Sequence, residues 1–334
     1  MARLGSWIEP FPEGIYVKPA DAWVDPSEPK ARALVTHGHS DHARGGHGRV
    51  WATPETLAIM DCRYGEQGDA GCAVGYGEVV RVGEVDVSFV PAGHVLGSAQ
   101  IVLEHAGERV VVSGDYKRRP DPTCAPFEPV PCDIFITEAT FGLPVFRHPD
   151  TPSEMDRLLA RLHANPERCV LVGAYALGKA QRVIAELRAR GHADPIYIHG
   201  ALQRLCDLYE EHGVALGDIR PATGAKKDEL RGKIVIAPPG ALNDRWSRRL
   251  PEPITAMASG WMRVRQRARQ RNVELPLILS DHADWDELTS TIRELAPKEV
   301  WITHGREDAL KHWCALHQIK ARELNLVGRE DEDD

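Results

Sequence analysis

Seven consecutive residues restrict this chain more than any other stretch: Thr36-His37-Gly38-His39-Ser40-Asp41-His42, directly after the apolar run Ala33–Val35. Three imidazoles and a carboxylate fall within six positions, in a chain holding 15 His among 334 residues. Chance spacing does not produce such a cluster. Imidazole nitrogen and carboxylate oxygen are natural ligands of Zn²⁺ and Mn²⁺. His37 and His39 alternate in a tight loop and can address one ion. Asp41 and His42 sit a turn further on and can address a second. The fold must therefore end a strand at this point and turn the loop toward a cation.

Two ions need more than four ligands, and three more candidates share one context. His94 follows the strand-like run 85–90, Asp115 follows 109–113, and His304 follows 299–303. Each has a Gly beside it: Gly93, Gly114 and Gly305. Loops of this kind place a side chain at the rim of a sheet and let the backbone approach an ion. Taken singly, each of these His reads better as an ordinary core or surface histidine. The repeated context of a strand followed by a ligand with glycine beside it carries the joint assignment.

The rest of the chain divides by rhythm. From Glu78 to Asp115, β-branched residues alternate with polar ones between glycines, which reads as consecutive antiparallel strands. A helix is expected over 54–64, with Pro54 at its start. Beyond Pro144 the pattern becomes βαβα: helices over 152–164, 178–190 and 201–211, and strands over 169–174, 196–199 and 233–237. This rhythm builds a parallel sheet. Strand and helix patterns of the earlier style resume at 275–280, 284–295, 299–303 and 306–317. The expected organisation is one discontinuous domain, 1–150 plus 272–334, with a second domain, 151–271, inserted in it. No run of 18 apolar residues exists, so no membrane span is expected. The N-terminus lacks an apolar secretory core, and the seven Cys are scattered without a CxxC pair. Reduced thiols and a cytoplasmic location are the expectation. The acidic stretch Glu330–Asp334 reads as a solvated tail.

The ligand pattern resembles the metallo-β-lactamase superfamily. His37, His39, Asp41 and His42 match its signature, and His94, Asp115 and His304 match its later ligand positions in order. Asp25, in AlaTrpValAspPro, matches the acidic residue that supports the ligands by hydrogen bonds, with Asp21 a weaker candidate for that place. The resemblance narrows to the β-CASP nucleases. Thr137-Glu138-Ala139-Thr140 is similar to their first additional motif, Ser280-Asp281-His282-Ala283-Asp284 to the second, and Thr303-His304-Gly305 to the third. Within this branch, the chain is most similar to the compact bacterial ligase-associated exonucleases of the DNA damage response. The Artemis-type DNA nucleases carry an apolar residue where His304 stands, and the RNA-acting members share the His. The resemblance implies an α/β fold, a metallo-β-lactamase αββα sandwich with an inserted β-CASP α/β domain. It implies two divalent ions, Zn or Mn: His37, His39 and His94 on one, Asp41, His42 and His304 on the other, Asp115 between them. Asp41 and Asp115 would act in catalysis as ligands. Such a pair of ions activates water and polarises a phosphoryl oxygen. His282, which no ion needs, would be the general acid or a phosphate-stabilising cation, oriented by Glu138.

The overall charge of −8 disfavours wholesale coating of nucleic acid, yet residues 241–275 hold eight Arg against three acids, a local net of +5. Residues 263–271 alternate Arg at period two. Arg245, Arg248, Arg249, Arg263, Arg265 and Arg267 read as a phosphate track, with Trp261 available for base stacking and Lys117 adding a contact after Asp115. The bland alternative is a solvated charged face. The expected partner is nucleic acid, DNA favoured over RNA, with the DNA ligase and helicase of a repair operon as functional partners. Two other functions remain open: an RNA-processing nuclease of the ribonuclease J or 3′-end cleavage type, and a small-molecule metallo-hydrolase such as a thioesterase or lactonase. The last would have no need of Glu138, His282 or a basic insertion.

Overall fold

The computed structural model describes residues 4–305 and 307–326. The acidic stretch at 330–334 lies outside the described residues. The chain divides into two compact units. One comprises residues up to Pro120, Cys124–Arg147 and the chain from His282 onward; the other comprises Asp121–Thr123 and His148–Asp281.

The first unit is built on two sheets. Strands Ile8–Phe11, Gly14–Val17, Ala22–Val24, Arg32–Leu34, Arg49–Ala52 and Gly71–Ala73 lie side by side in that order. The second sheet runs Lys320–Glu323, Glu299–Gly305, Ile134–Ala139, Glu108–Val112, Ala99–His105, Val85–Pro91, Val79–Val82. The meander from Val79 to Val112 is antiparallel, as the alternation predicted. The first sheet departs from that style, since its last four strands pair in parallel.

Period two explains how the layers pack. Ile101, Leu103, Val110, Val112, Ile134 and Ile136 share one buried cluster with Ile15, Val17, Val24 and Leu34 of the first sheet. The intervening Val102, Val111 and Phe135 point to the opposite face. There they pack against Trp285, Leu288 and Ile292 of helix Trp285–Leu295 and Leu310 and Cys314 of helix Glu307–Leu316. The outer face of the first sheet, Ala33, Val50 and Ala52, packs on Met60 of helix Pro54–Tyr64. Helix, sheet, sheet and helix form an αββα sandwich. Both faces of the second sheet are covered, so its inner strands are apolar at nearly every position. Helix Pro54–Tyr64 starts where its sequence demands, with Thr53 Oγ1 accepting from the Thr56 amide and Pro54 in the first turn.

The second unit holds a six-stranded, all-parallel sheet in the order Ile219–Pro221, Ile196–Ile198, Ile234–Ala237, Val170–Gly173, Ile254–Ala258, Leu275–Leu277. Helices Thr151–His163, Lys179–Ala189 and Gln203–Glu211 accompany it. The run expected at 275–280 to open the return of the first domain belongs here instead: Ala256–Ala258 pairs with Leu275–Leu277. The division therefore falls between Asp281 and His282, ten residues beyond the expected start at 272, and between Arg147 and His148 rather than after 150. An apolar run carries no mark of which sheet it will join. Pro276 is tolerated because its strand closes the edge of the sheet. Among the described residues no helix is long and apolar enough to cross a membrane.

In the second sheet of the first unit, strands Glu108–Val112, Ile134–Ala139 and Glu299–Gly305 are mutually parallel and end on one edge. The register slips between Thr137 and Ala139, at Glu138. Gly305, opposite Ala139, has φ +105° and would bring a Cβ to 2.1 Å from the Ala139 carbonyl oxygen. Both the backbone conformation and the space exclude a side chain. Gly305→Ala is expected to lower stability by about 2–3 kcal/mol, measured by urea denaturation at constant m-value. An unchanged midpoint would contradict this reading of the strand end.

Candidate metal centre

The loop after strand Arg32–Leu34 turns inward because Asp25 seizes it. Asp25 adopts a left-handed backbone (φ +43°), which a short polar side chain tolerates. Its carboxylate is buried; one oxygen accepts from the Thr36 amide (2.8 Å), the other from Thr36 Oγ1 (2.6 Å) and lies 2.8 Å from His42 Nδ1. The Thr36 hydroxyl in turn stands 3.0 Å from His37 Nδ1. One carboxylate thus fixes the start of the His-rich loop and the ring orientation of His42, leaving each Nε2 directed away from its support. Asp21 stands apart from this network and accepts from the Tyr16 hydroxyl.

The remaining ligand-type side chains arrive from strand ends. Ser98 Oγ accepts from the amides of His94 (3.0 Å) and Val95 (3.1 Å) and shapes the turn that presents His94. Gly114 precedes Asp115 at φ +57°, where a Cβ would strike Thr36. Thr303 Oγ1 lies 2.9 Å from His304 Nδ1. Ligand atoms of His37, His39, His94 and Asp115 all fall within 4.8 Å of one another, and those of Asp115, Glu138 and His304 do the same. Asp115 is the common member. One of its oxygens is 3.4 Å from His37 Nε2 and 3.4 Å from His42 Nε2, the other 3.4 Å from His304 Nε2. Asp41 stands 3.4 Å from His42 Nε2 and is the most exposed of the set. All seven expected ligands are therefore gathered in one place, and Glu138 joins them within ligand reach.

Electrostatics explains why the cluster calls for cations. Burial opposes charging of His37, and neighbouring His42 adds to this, so its pKa falls to about 4. Burial and the adjoining His37, His282 and His39 push His94 well below its usual range. Burial opposes the charged form of His42 too, but Asp115, Asp41 and Asp25 overcome it and raise its pKa to about 10. Burial would also raise the pKa of Asp115, yet His42, His304 and His37 hold its carboxyl well below the ordinary carboxylate range. His37 Nε2, His42 Nε2 and Asp115 Oδ1 are buried without a hydrogen-bond partner among the described residues. Leaving such atoms unsatisfied costs about 1–3 kcal/mol each. Divalent cations held by nitrogen and carboxylate donors would satisfy all three, so the residues fit the ions that the sequence implied.

Beside the cluster, His282 Nδ1 lies 3.1 and 3.2 Å from the two oxygens of Glu138. Its ring centroid is 4.7 Å from that of His94. Thr140 Oγ1 is 3.5 Å from the same Nδ1. Glu138 is itself fixed by the Tyr116 amide, which donates to it at 2.8 Å. Glu138 and His282 thus form the hydrogen-bonded couple that their motifs suggested.

The expected nucleic-acid contacts fare unevenly. Arg245, Arg248, Arg249, Arg263 and Arg265 are exposed on the second unit. The period-two Arg run does not form an extended track, because Arg265–Gln270 is a helix and distributes those side chains around its axis. Trp261 is 6% exposed and carries the Arg267 guanidinium 4.0 Å over its ring, so it does not offer an open face to a base. Lys117 is 1% exposed, and its ammonium donates to the His94 carbonyl at 2.9 Å. It supports the His94 loop and is not a surface phosphate contact. Sequence reasoning gave Thr36, Ser98, Thr140 and Thr303 no role of their own. Of these, Thr36 and Thr303 had a signal: the string Thr-His-Gly occurs at both 36–38 and 303–305.

A sandwich whose strand ends converge five imidazoles and two carboxylates on one point is the framework of a metallo-hydrolase. Residues 273–321 match the family model described as a Zn-dependent metallo-hydrolase RNA specificity domain. The chain is 30% identical to a probable DNA ligase of Opitutus terrae, over 96% of its own length and 32% of that protein. It is 27% identical to cleavage and polyadenylation specificity factor subunit 3 of Dictyostelium discoideum, over 88% of its length and 48% of the relative. The chain thus spans about a third to a half of these curated relatives. A solved structure of a protein of unknown function from Enterococcus faecalis shares the fold at a TM-score of 0.52 and 15% identity, covering 87% of this chain and 78% of that one. The chain belongs to the β-CASP nuclease family of the metallo-β-lactamase superfamily.

Two outcomes test the centre. Asp25→Asn is expected to weaken metal affinity roughly 10- to 100-fold in chelator competition, because it loosens both Thr36 and His42. At pH 8 the metal-free His42, with its pKa raised to about 10, holds a proton that a ligand nitrogen must surrender. Loading with zinc should then release about one proton, seen as a binding enthalpy that varies with the buffer's ionisation enthalpy. A buffer-independent enthalpy would remove His42 from the ligand set.

Proposed function

We propose that this chain is a metal-dependent phosphodiesterase that degrades DNA from a 5′ end in the cytoplasm, in repair, alongside a DNA ligase and helicase. The observation that carries the phosphodiesterase reading is the Glu138–His282 couple beside a cluster of seven ligand-type side chains. Hydrolysis of a thioester or lactone needs the cluster but not the couple.

His37, His39, His94, Asp41, His42, His304 and Asp115 would hold two divalent cations, Zn or Mn, which supply polarisation of a phosphoryl oxygen and lower the pKa of water. The chain's own groups do the rest. Glu138 accepts from His282 Nδ1, which fixes the ring and leaves Nε2 as the nitrogen that can carry a proton to the departing alkoxide. The negative Glu138 beside it favours the protonated imidazole that this transfer requires. The exposed Arg245, Arg248, Arg249, Arg263 and Arg265 would meet phosphates of the strand.

The DNA preference is supported by alignment of 96% of the chain with the Opitutus relative named as a probable DNA ligase. A second reading, an RNA-processing nuclease, is favoured by the RNA specificity model over residues 273–321 and by His304. End-labelled single-stranded DNA and RNA of matched sequence, each with a 5′-phosphate or 5′-hydroxyl and with zinc or manganese, separate the two. Faster, stepwise loss of 5′-phosphorylated DNA is expected; preferential cleavage of RNA would favour the second reading. His282→Ala should keep the bound metal and lose roughly 10²–10⁴ of turnover. Loss of metal in that variant would place His282 among the ligands instead.

A further inference from the structure

The short segment that follows Asp115 touches the site at several points, through groups that the reaction itself does not use. The Tyr116 amide donates to Glu138, and the Tyr116 carbonyl accepts from the amide of Ala283 at 2.5 Å. One residue's backbone thus bridges Glu138 to the residue directly after His282. Arg119 reaches further along the same chain. Its guanidinium pairs with the Asp284 carboxylate and, at 3.5 Å, with Glu287. Asp284 is the N-cap of helix Trp285–Leu295, accepting from the amides of Asp286 (3.0 Å) and Glu287 (3.1 Å), while Glu287 accepts in return from the Asp284 amide.

We infer that Arg119 is a positioning residue for His282, acting through the Asp284–Glu287 cap. Asp284 is 2% exposed as a side chain and already spends one oxygen on the cap; Arg119 takes the other. The cap is two residues from His282, and Ala283 between them is pinned by Tyr116. The backbone of His282 is therefore held from the Asp115 segment at two successive positions. Glu138, which holds the His282 ring, is held from the same segment. A group that must deliver a proton within hydrogen-bond reach tolerates little displacement, since a shift of about 1 Å can cost a hundredfold in rate. Sequence position alone would let Arg119 serve as another phosphate contact; its two carboxylate partners assign it to the cap.

This inference rests on the phosphodiesterase reading for its kinetic test. Arg119→Met is expected to lower kcat on single-stranded DNA by roughly ten- to a hundredfold, with KM and bound metal unchanged. Arg119→Lys, which retains a charge for Asp284, should restore most of the loss. In a His282→Ala background the Arg119→Met effect should vanish, because the two changes act on one step. Asp284→Asn preserves a capping side chain and removes the charge Arg119 needs. It should reproduce the Arg119→Met phenotype and serves in its place if that variant does not fold. The His282 imidazole resonance in ¹⁵N-histidine spectra, identified by its loss in His282→Ala, should move in Arg119→Met. Full turnover in Arg119→Met, an equal loss in the His282→Ala background, or loss of metal would overturn the inference. If the wild-type chain cleaves no phosphodiester, the functional reading fails instead, and an unmoved His282 resonance then still overturns the positioning role.

Discussion

A carboxylate buried among imidazoles is the interaction on which the rest of the site turns. Asp115 stands within 3.4 Å of His37, His42 and His304, which come from two widely separated parts of the chain. Without it, nothing so close would offset a proton on the buried His42. With it, His42 is driven toward its charged form while burial keeps His37 neutral, and the atoms left unsatisfied are all donors suited to a cation. The carboxylate sets the charge of the centre, and the cations complete it.

Because Asp115 has to sit where three strand ends meet, much of the fold follows. Parallel strands Glu108–Val112, Ile134–Ala139 and Glu299–Gly305 bring Asp115, Glu138 and His304 to one edge. The glycines at 114 and 305 occupy the places where a side chain would meet Thr36 or the backbone of Ala139. Supporting groups then recur in one form: a hydroxyl or carboxylate on Nδ1 of His37, His42, His282 and His304. The segment after Asp115 continues this economy, since it braces Glu138, the His94 carbonyl and the cap behind His282.

The candidate ligands were legible in the sequence because each carries its own chemical label and stands beyond the end of a strand, with a glycine beside His94, Asp115 and His304. The αββα layers were legible through the family resemblance, whereas period-two alternation by itself revealed the Val79–Val112 meander. What stayed hidden depends on facts a sequence does not print. Parallel pairing of the first sheet's later strands leaves no turn signal. The run at 275–280 has the same apolar character whichever sheet receives it. Lys117 and Trp261 read as surface contacts, and both are buried, because burial of a charged or aromatic residue is decided by distant partners such as the His94 carbonyl and Arg267. The period-two Arg pattern read as one phosphate track, whereas Arg265–Gln270 forms a short helix. Thr36 and Ser98 are uncharged and common, and only their contacts reveal what they support.

The pairing of Ile134 with Glu299 has a consequence for how the molecule assembles. These neighbours in one sheet are separated in the chain by the whole of the second unit's main segment, 148–281. A nascent chain must leave the edge of strand Ile134–Ala139 unmatched until residue 299 has been synthesised, by which point all six strands of the second unit's sheet have been made. Long-range parallel pairing of this kind is slow, and an open strand edge is exposed to wrong partners in the meantime. His304 arrives with strand Glu299–Gly305, so the ligand cluster can be gathered only once the two separated parts of the first unit have met.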